Sequence, residues 1–243
     1  ILISRKSRFY IIGAALLALF LGALDALVMS AAMPTIIADL GGLHLYSWVY
    51  SAYLLARSVS LPLIGKLVDI STSKTLLIPR IGIFLLASIF AGLAQSMTQL
   101  MVWRVFQGIG GGGIFALVYI VLADISSPQN RAKNLSLGSF IWGLASVLGP
   151  TFGGFVVTYF SWRWIFWIHL PLVICIALVV IAAWVEPVRD DASKRHKIDY
   201  PGLAMLVIGF GALVLGIMEA TNAGWTYMQT MCRESGGIIM ITV

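Results

Sequence analysis

The chain is a succession of apolar runs, each long enough to cross a lipid bilayer. A helix needs roughly 20 mostly apolar residues to span the hydrocarbon core. Read in order, the runs number seven: 9–33, 46–65, 76–96, 99–123, 134–158, 165–185 and 201–220. In lipid the backbone must satisfy its own hydrogen bonds, so only helices and closed barrels serve, and runs this long are helices. The expected fold is therefore an all-α membrane protein. Composition agrees: 11% of residues are charged, where soluble domains carry about a quarter.

Lysines and arginines give the topology. Arg5, Lys6 and Arg8 precede the first run; Lys66, Lys74 and Arg80 flank the second connection; Arg131 and Lys133 lie in the fourth; Arg189, Lys194, Arg195 and Lys197 lie in the sixth. These share one side, and the other side holds Arg163 and the tail residue Arg233. The positive-inside rule then places the N-terminus in the cytoplasm of a multi-pass protein of the cell membrane. The net charge of +6 is thus a topology signal rather than a nucleic-acid footprint. Ser4–Arg8 leads into a run too long for a cleavable signal core. Cys175 and Cys232 lie far apart, and His44, His169 and His196 are scattered, so no disulfide framework, metal site or enzyme-like cluster is expected.

Charged groups inside the runs carry the functional information, because they are costly in hydrocarbon and line substrate or proton paths. Arg104 and Gln107 lie in run 99–123, and Asp25 is the one carboxylate within the first six runs. At about 1.5 Å per residue, Asp25 lies roughly 12 Å from the outer end of its run and Arg104 roughly 8 Å from the outer end of its own, so the two can face each other. Burial disfavours an ionised carboxylate and an adjacent guanidinium favours one. Approach and withdrawal of Arg104 would make Asp25 a switchable proton site. The alternatives are a fixed pair that only orders packing, or an arginine that snorkels to the headgroups. Arg57, roughly 16 Å deep, is a second candidate partner or a contact for an anionic substrate group.

Gly108 to Gly113 match the letters of a dinucleotide fingerprint, but that motif needs a preceding strand and an exposed helix N-terminus. Within an apolar run, Gly108 and Gly112 instead offer a small-xxx-small face to another helix. The loop carrying Gly65, Asp69 and Lys74 closes the second run; it is either a breakable latch to a neighbouring helix or an ordinary topogenic loop. Gly149, Pro150, Gly153 and Gly154 join an in-helix proline to close-packing glycines, which implies a kink and a thin surface. Pro62–Gly65 recurs faintly 88 residues on, as Pro150–Gly153. Three runs intervene, so the two copies would be inverted across the membrane. Residues 1–185 form a six-helix bundle of three-plus-three inverted repeats, 186–200 a cytoplasmic linker and 201–220 a seventh span; 221–243 is an irregular tail at which truncation is expected.

These residues resemble the major facilitator superfamily and, within it, the 14-span drug:proton antiporters. Leu24-Asp25 through Met33-Pro34 is similar to the first-span signature L-D-x-T-I-V-N-V-A-L-P, with Leu27 for its Thr and Ser30 for its Asn. Gly65, Leu67, Asp69 and Lys74 match the loop motif G-x-L-a-D-r-x-G-r-k, from which Ile70, Thr72 and Ser73 depart. Leu100, Arg104, Gln107 and Gly108 match l-x-x-x-R-x-x-q-G, and Gly149–Gly154 match the antiporter motif G-P-x-x-G-G. Trp162–Phe166, His169 and Pro171 resemble W-R-W-I-F-x-I-N-x-P, with His169 in place of Asn. The resemblance implies alternating-access efflux of a small lipophilic or cationic molecule in exchange for protons, with no cofactor beyond the proton gradient. It implies that Asp25 and Arg104 couple protons, that Asp69 and Lys74 gate, and that the Gly149-Pro150 kink helps the bundle rock. Export of an endogenous metabolite such as an amino acid or peptide is the alternative within transport. The resemblance covers one of two bundles, so the partners expected are lipid, substrate, protons and either a missing C-terminal half or a second membrane subunit. A non-transporting half-chain that pairs with such a subunit is the third reading.

Overall fold

A computed structural model describes residues 5–68, 71–126, 129–183 and parts of 201–216. The expected linker 186–200, the tail 221–243 and gating-loop residue Asp69 lie outside the described residues, and the described part of the seventh span is helical. The helices are α1 (Arg5–Leu40), α2 (Tyr46–Val68), α3 (Ser73–Gly92), α4 (Met97–Asp124), α5 (Arg131–Tyr159), α6 (Trp164–Trp167) and α7 (His169–Ala183). Short α6 and longer α7 together make the sixth span, interrupted at Ile168. Among the described residues there is no strand.

Element ends follow local chemistry. The expected first span stops at Met33, but α1 runs through Pro34 to Leu40, a length of about 54 Å. It ends where Gly41 and Gly42 adopt φ of 67° and 74°, and Gly41 N–H caps the Ile37 carbonyl at 2.9 Å. Ser96 starts α4 two residues ahead of expectation, because its hydroxyl accepts from the Gln99 N–H at 3.2 Å. Thr72 caps α3 in the same way through the Thr75 N–H. Arg80, read from the sequence as flanking the loop, lies inside α3 and lays its side chain across Gly113 of α4. Glycine lets that chain lie flat there.

Among the described residues, five helices are long and apolar enough to cross a membrane on length and composition alone. α2 has the length, 23 residues, but also carries Arg57, Lys66 and four serines; its packing against α4 places it in the bundle. The most extensive contacts are α2 with α4, α1 with α5, and α3 with α4. If the chain repeats after three spans, α1 corresponds to α4 and α2 to α5, so the α1–α5 contact is the counterpart of α4–α2. The α1–α7 contact is likewise the counterpart of α4–α3. The arrangement is that of three-plus-three inverted repeats.

Two apolar clusters divide the interior. One gathers Ile11, Leu19, Ile81, Leu117 and Val180 toward the end where α1 starts. The other gathers Met29, Ile36, Val49, Leu100 and Phe166 toward the opposite end. Between them lie the buried polar groups Asp25, Ser88, Arg104, Gln107 and His169.

Candidate functional site

The buried layer is built from four helices. Arg104 and Gln107 stand three residues apart on α4 and therefore share a face. Both side chains are fully buried, as is Asp25 on α1. Arg104 Nη1 lies 3.0 and 3.1 Å from the two carboxylate oxygens of Asp25 and 2.9 Å from Gln107 Oε1. That nitrogen carries two hydrogens for three acceptors, so the bonds are shared rather than paired fork to fork. Among the described residues, Arg104 Nε and Nη2 have no hydrogen-bond partner. Gln107 Nε2 donates to Asp25 Oδ1 at 3.2 Å and to Ser88 Oγ on α3 at 2.9 Å. The guanidinium lies 3.9 Å above the Tyr53 ring of α2, a cation–π contact that shelters the charge on one face.

Glycines bring the helices close enough for this. A Cβ at Gly108 would meet the Tyr53 carbonyl at 2.5 Å, and one at Gly112 would collide with the backbone of Arg57. One at Gly110 would meet Phe84 N of α3 at 2.8 Å. The run expected to offer one thin face thus offers two, to α2 and to α3. Because these glycines sit mid-helix in α4, no helix N-terminus is available for a dinucleotide.

Arg57 is the central residue of α2 and 7% exposed. Its guanidinium carbon lies 4.8 Å from the Phe115 ring centroid and 5.2 Å from that of Trp142, and Nη1 stands 3.5 Å from Tyr53 Oη. Among the described residues it has no carboxylate partner, and the Trp142 indole N–H beside it is buried and unbonded. The structure thus pairs Asp25 with Arg104 and Gln107 and sets Arg57 apart, joined to them through Tyr53. No three of His, Cys, Asp and Glu gather to hold a metal among the described residues.

The sequence model of the Major Facilitator Superfamily matches residues 15–231. The chain belongs to this superfamily. An uncharacterized transporter of Schizosaccharomyces pombe is 37% identical over 99% of this chain and 42% of that protein. The multidrug transporter protein MdtP of Bacillus subtilis is 35% identical over 88% of this chain and 39% of its own length. A crystal structure of a D-xylose-proton symporter shares the fold, with a TM-score of 0.66 at 15% identity over 96% of this chain and 66% of that one. This chain therefore spans about two-fifths of the length of the curated relatives it matches. Superfamily members are multi-pass membrane transporters of small molecules, not enzymes.

Within this superfamily chain the remaining motif residues separate by place. Gly149 and Gly153 lie against Leu27 and Val28 of α1, within a turn of Asp25, whereas Pro150 is exposed and Gly154 meets no neighbour. α5 runs unbroken through Pro150. Lys74 Nζ donates to the Ile181 carbonyl of α7 at 3.0 Å, and a Cβ at Gly65 would meet open space. Asp39 was not singled out from the sequence. It accepts from Trp162 Nε1 and from Arg163 Nη1, each at 2.9 Å, while Arg163 Nη2 reaches the Ala94 carbonyl at 3.3 Å. This clamp ties α1 to the two loops at the far end of the bundle. Ser88 and Tyr53 also escaped the sequence reading, and His169 entered it only as a departure from a motif, not as a member of the site. The available signals were Tyr53 four residues before Arg57 on one helical face and a serine, Ser88, in the middle of an apolar run.

Proposed function

We propose that the complete protein, to which this chain contributes the bundle 1–185, exports small lipophilic or cationic compounds across the cell membrane in exchange for entering protons. In this reading the N-terminus is cytoplasmic, 186–200 is a cytoplasmic linker and 201–220 a seventh span. The carrying observation is a fully buried carboxylate held by one shared guanidinium nitrogen while two other donors of that guanidinium stand unfilled. Such a pair can be loosened by a proton without dismantling the core, since Gln107 and Tyr53 still hold Arg104. Protonation of Asp25 frees Arg104, and deprotonation recaptures it; the two states supply the differential contact that alternating access requires. Lys74 and Asp69 then act in gating, and the Gly149 and Gly153 face carries α5 over α1.

Arg57 favours a second reading, export of a metabolite bearing an acidic group. A guanidinium held by two aromatic rings beside an unbonded indole N–H is a receptor for a carboxylate on an apolar body. The two readings differ in sign. A cation competes with a proton for this charge cluster, whereas an anion and a proton reinforce one another. The full-length transporter in inverted vesicles decides between them, with tetraphenylphosphonium and 1-naphthoate as probes. Antiport expects ΔpH-driven movement of tetraphenylphosphonium, lost in Asp25→Asn with membrane insertion intact; unchanged movement in that variant removes Asp25 from coupling. The acid reading expects 1-naphthoate movement that strengthens as Asp25 takes up its proton and is lost in Arg57→Gln.

A further inference from the structure

His169 stands at the start of α7 and is 1% exposed, yet among the described residues neither of its ring nitrogens has a hydrogen-bond partner. The backbone of Ile165 and Phe166 lies beside the ring. Buried polar groups are nearly always bonded, so an imidazole left orphaned in the core calls for an explanation. A neutral packing role would be filled at less cost by an apolar side chain.

The position of the ring supplies one. An apolar cavity of about 20 Å³ is lined among others by Leu21, Gly22, Phe84, Gly111 and Val173. Each of these stands three or four residues from a member of the polar layer: Leu21 and Gly22 from Asp25, Phe84 from Ser88, Gly111 from Gln107, and Val173 from His169. On each helix the offset points toward the end of the bundle where α1 begins. His169 therefore lies at the depth of Asp25, Ser88 and Gln107, with the cavity one helical turn beyond them all. Its ring meets Phe84 edge to face at a centroid distance of 6.4 Å. Among the described residues, Asp25 on α1 and Arg104 on α4 are the charged groups that act on it, while α3 turns the apolar Phe84 to it.

We propose that His169 is a second proton-carrying residue of this site, exchanging a proton with Asp25. The inference rests on the reading of Asp25 as the coupling carboxylate. In the step, the proton leaves a carboxyl oxygen of Asp25 and binds a ring nitrogen of His169. The resulting carboxylate is recaptured by Arg104. The imidazolium returns to neutral imidazole by giving the proton to water on the side where α1 starts.

The test is an infrared pH titration of the full-length transporter in proteoliposomes, following the Asp25 carboxyl band, identified by its loss in Asp25→Asn. Two groups that exchange a proton titrate as a coupled pair, so His169→Asn is expected to move the midpoint of that band by about one pH unit or more. Superimposable titrations in the two proteins overturn the proposal and leave Asp25 as the sole proton carrier. An Asp25 band that does not change with pH removes the coupling role of Asp25 and this relay together. If His169→Asn does not fold, ring-nitrogen magnetic resonance of labelled histidine in the unsubstituted protein decides. A His169 resonance whose titration moves in Asp25→Asn supports the exchange, and one that does not titrate overturns it.

Discussion

Arg104 keeps its charge whatever surrounds it, whereas Asp25 can shed its charge by binding a proton. That asymmetry sets what each half of the buried pair costs when its partner is removed. Asp25→Leu leaves a guanidinium in the core with only Gln107 Oε1 and the Tyr53 face as company, and is expected to destabilise the bundle by about 3–5 kcal/mol. Arg104→Leu leaves a carboxyl group that can be neutralised and is expected to cost less. The double variant, apolar on both sides, is expected to return close to the original stability while remaining unable to couple protons. Thermal unfolding of the purified full-length protein orders the four; a double variant less stable than Asp25→Leu would contradict this account of the pair. The pairing itself was legible in the sequence, because depth along two helices is a matter of counting residues. Gln107, named with Arg104, was legible too, but the fourth and fifth members were not. Whether Ser88 or Tyr53 faces the pair depends on how α3 and α2 are rotated about their axes, and apolar runs with little periodicity do not disclose that rotation.

At the scale of elements, glycine placement decides how near the helices stand. Along α4, Gly108 and Gly112 face α2 while Gly110 and Gly113 face α3, so α4 has almost no side-chain thickness on two sides. The atoms a methyl group at Gly112 would strike belong to the backbone of Arg57 and to Ser60 Cβ, none of which can move without parting α2 from α4. Gly112→Ala is expected to lower the unfolding temperature, and with it to disturb the Arg104–Tyr53 contact. Gly143→Ala, where nothing lies within 4 Å, is expected to leave stability unchanged or raise it by up to about 1 kcal/mol through helix propensity. Equal behaviour of the two variants would show that close approach of α2 and α4 is not what the glycines secure. The sequence announced a thin helix but not its two partners, since a run of four consecutive glycines, Gly110–Gly113, has no single face. Helix ends were legible to within a few residues. The exception was α1, expected to end at Met33 and ended by the two left-handed glycines seven residues later.

For the whole molecule the informative surface is that of α5. The outward residues of α3, such as Leu86 and Phe90, are large and apolar, as a surface against lipid tails should be. α5 also exposes large apolar residues, among them Phe140, Val147 and Phe155, but beside them Gly143, Ser146 and Pro150, with Gly154 half-buried, are spaced at three and four residues along one side. Small and hydroxyl-bearing residues in that pattern suit close approach of another helix rather than lipid. The family supplies the partner's kind: transporters of this superfamily carry two such bundles about a midplane site, and this chain spans about two-fifths of the length of the curated relatives it matches. The second bundle is therefore expected to cover α5. A cysteine at Ser146 in a protein otherwise lacking cysteine is expected to crosslink to cysteines placed in the remaining half of the transporter, and a cysteine at Leu86 is not. If instead it captured a second copy of the same bundle, the half-chain would be a self-associating unit and α5 its own interface. If neither position reacted, the small-residue face would lie against lipid, and the rocking motion assigned to α5 would need another contact surface. Crosslinking at Ser146 that stops export and is reversed by a reductant would tie this contact to the motion as well as to assembly.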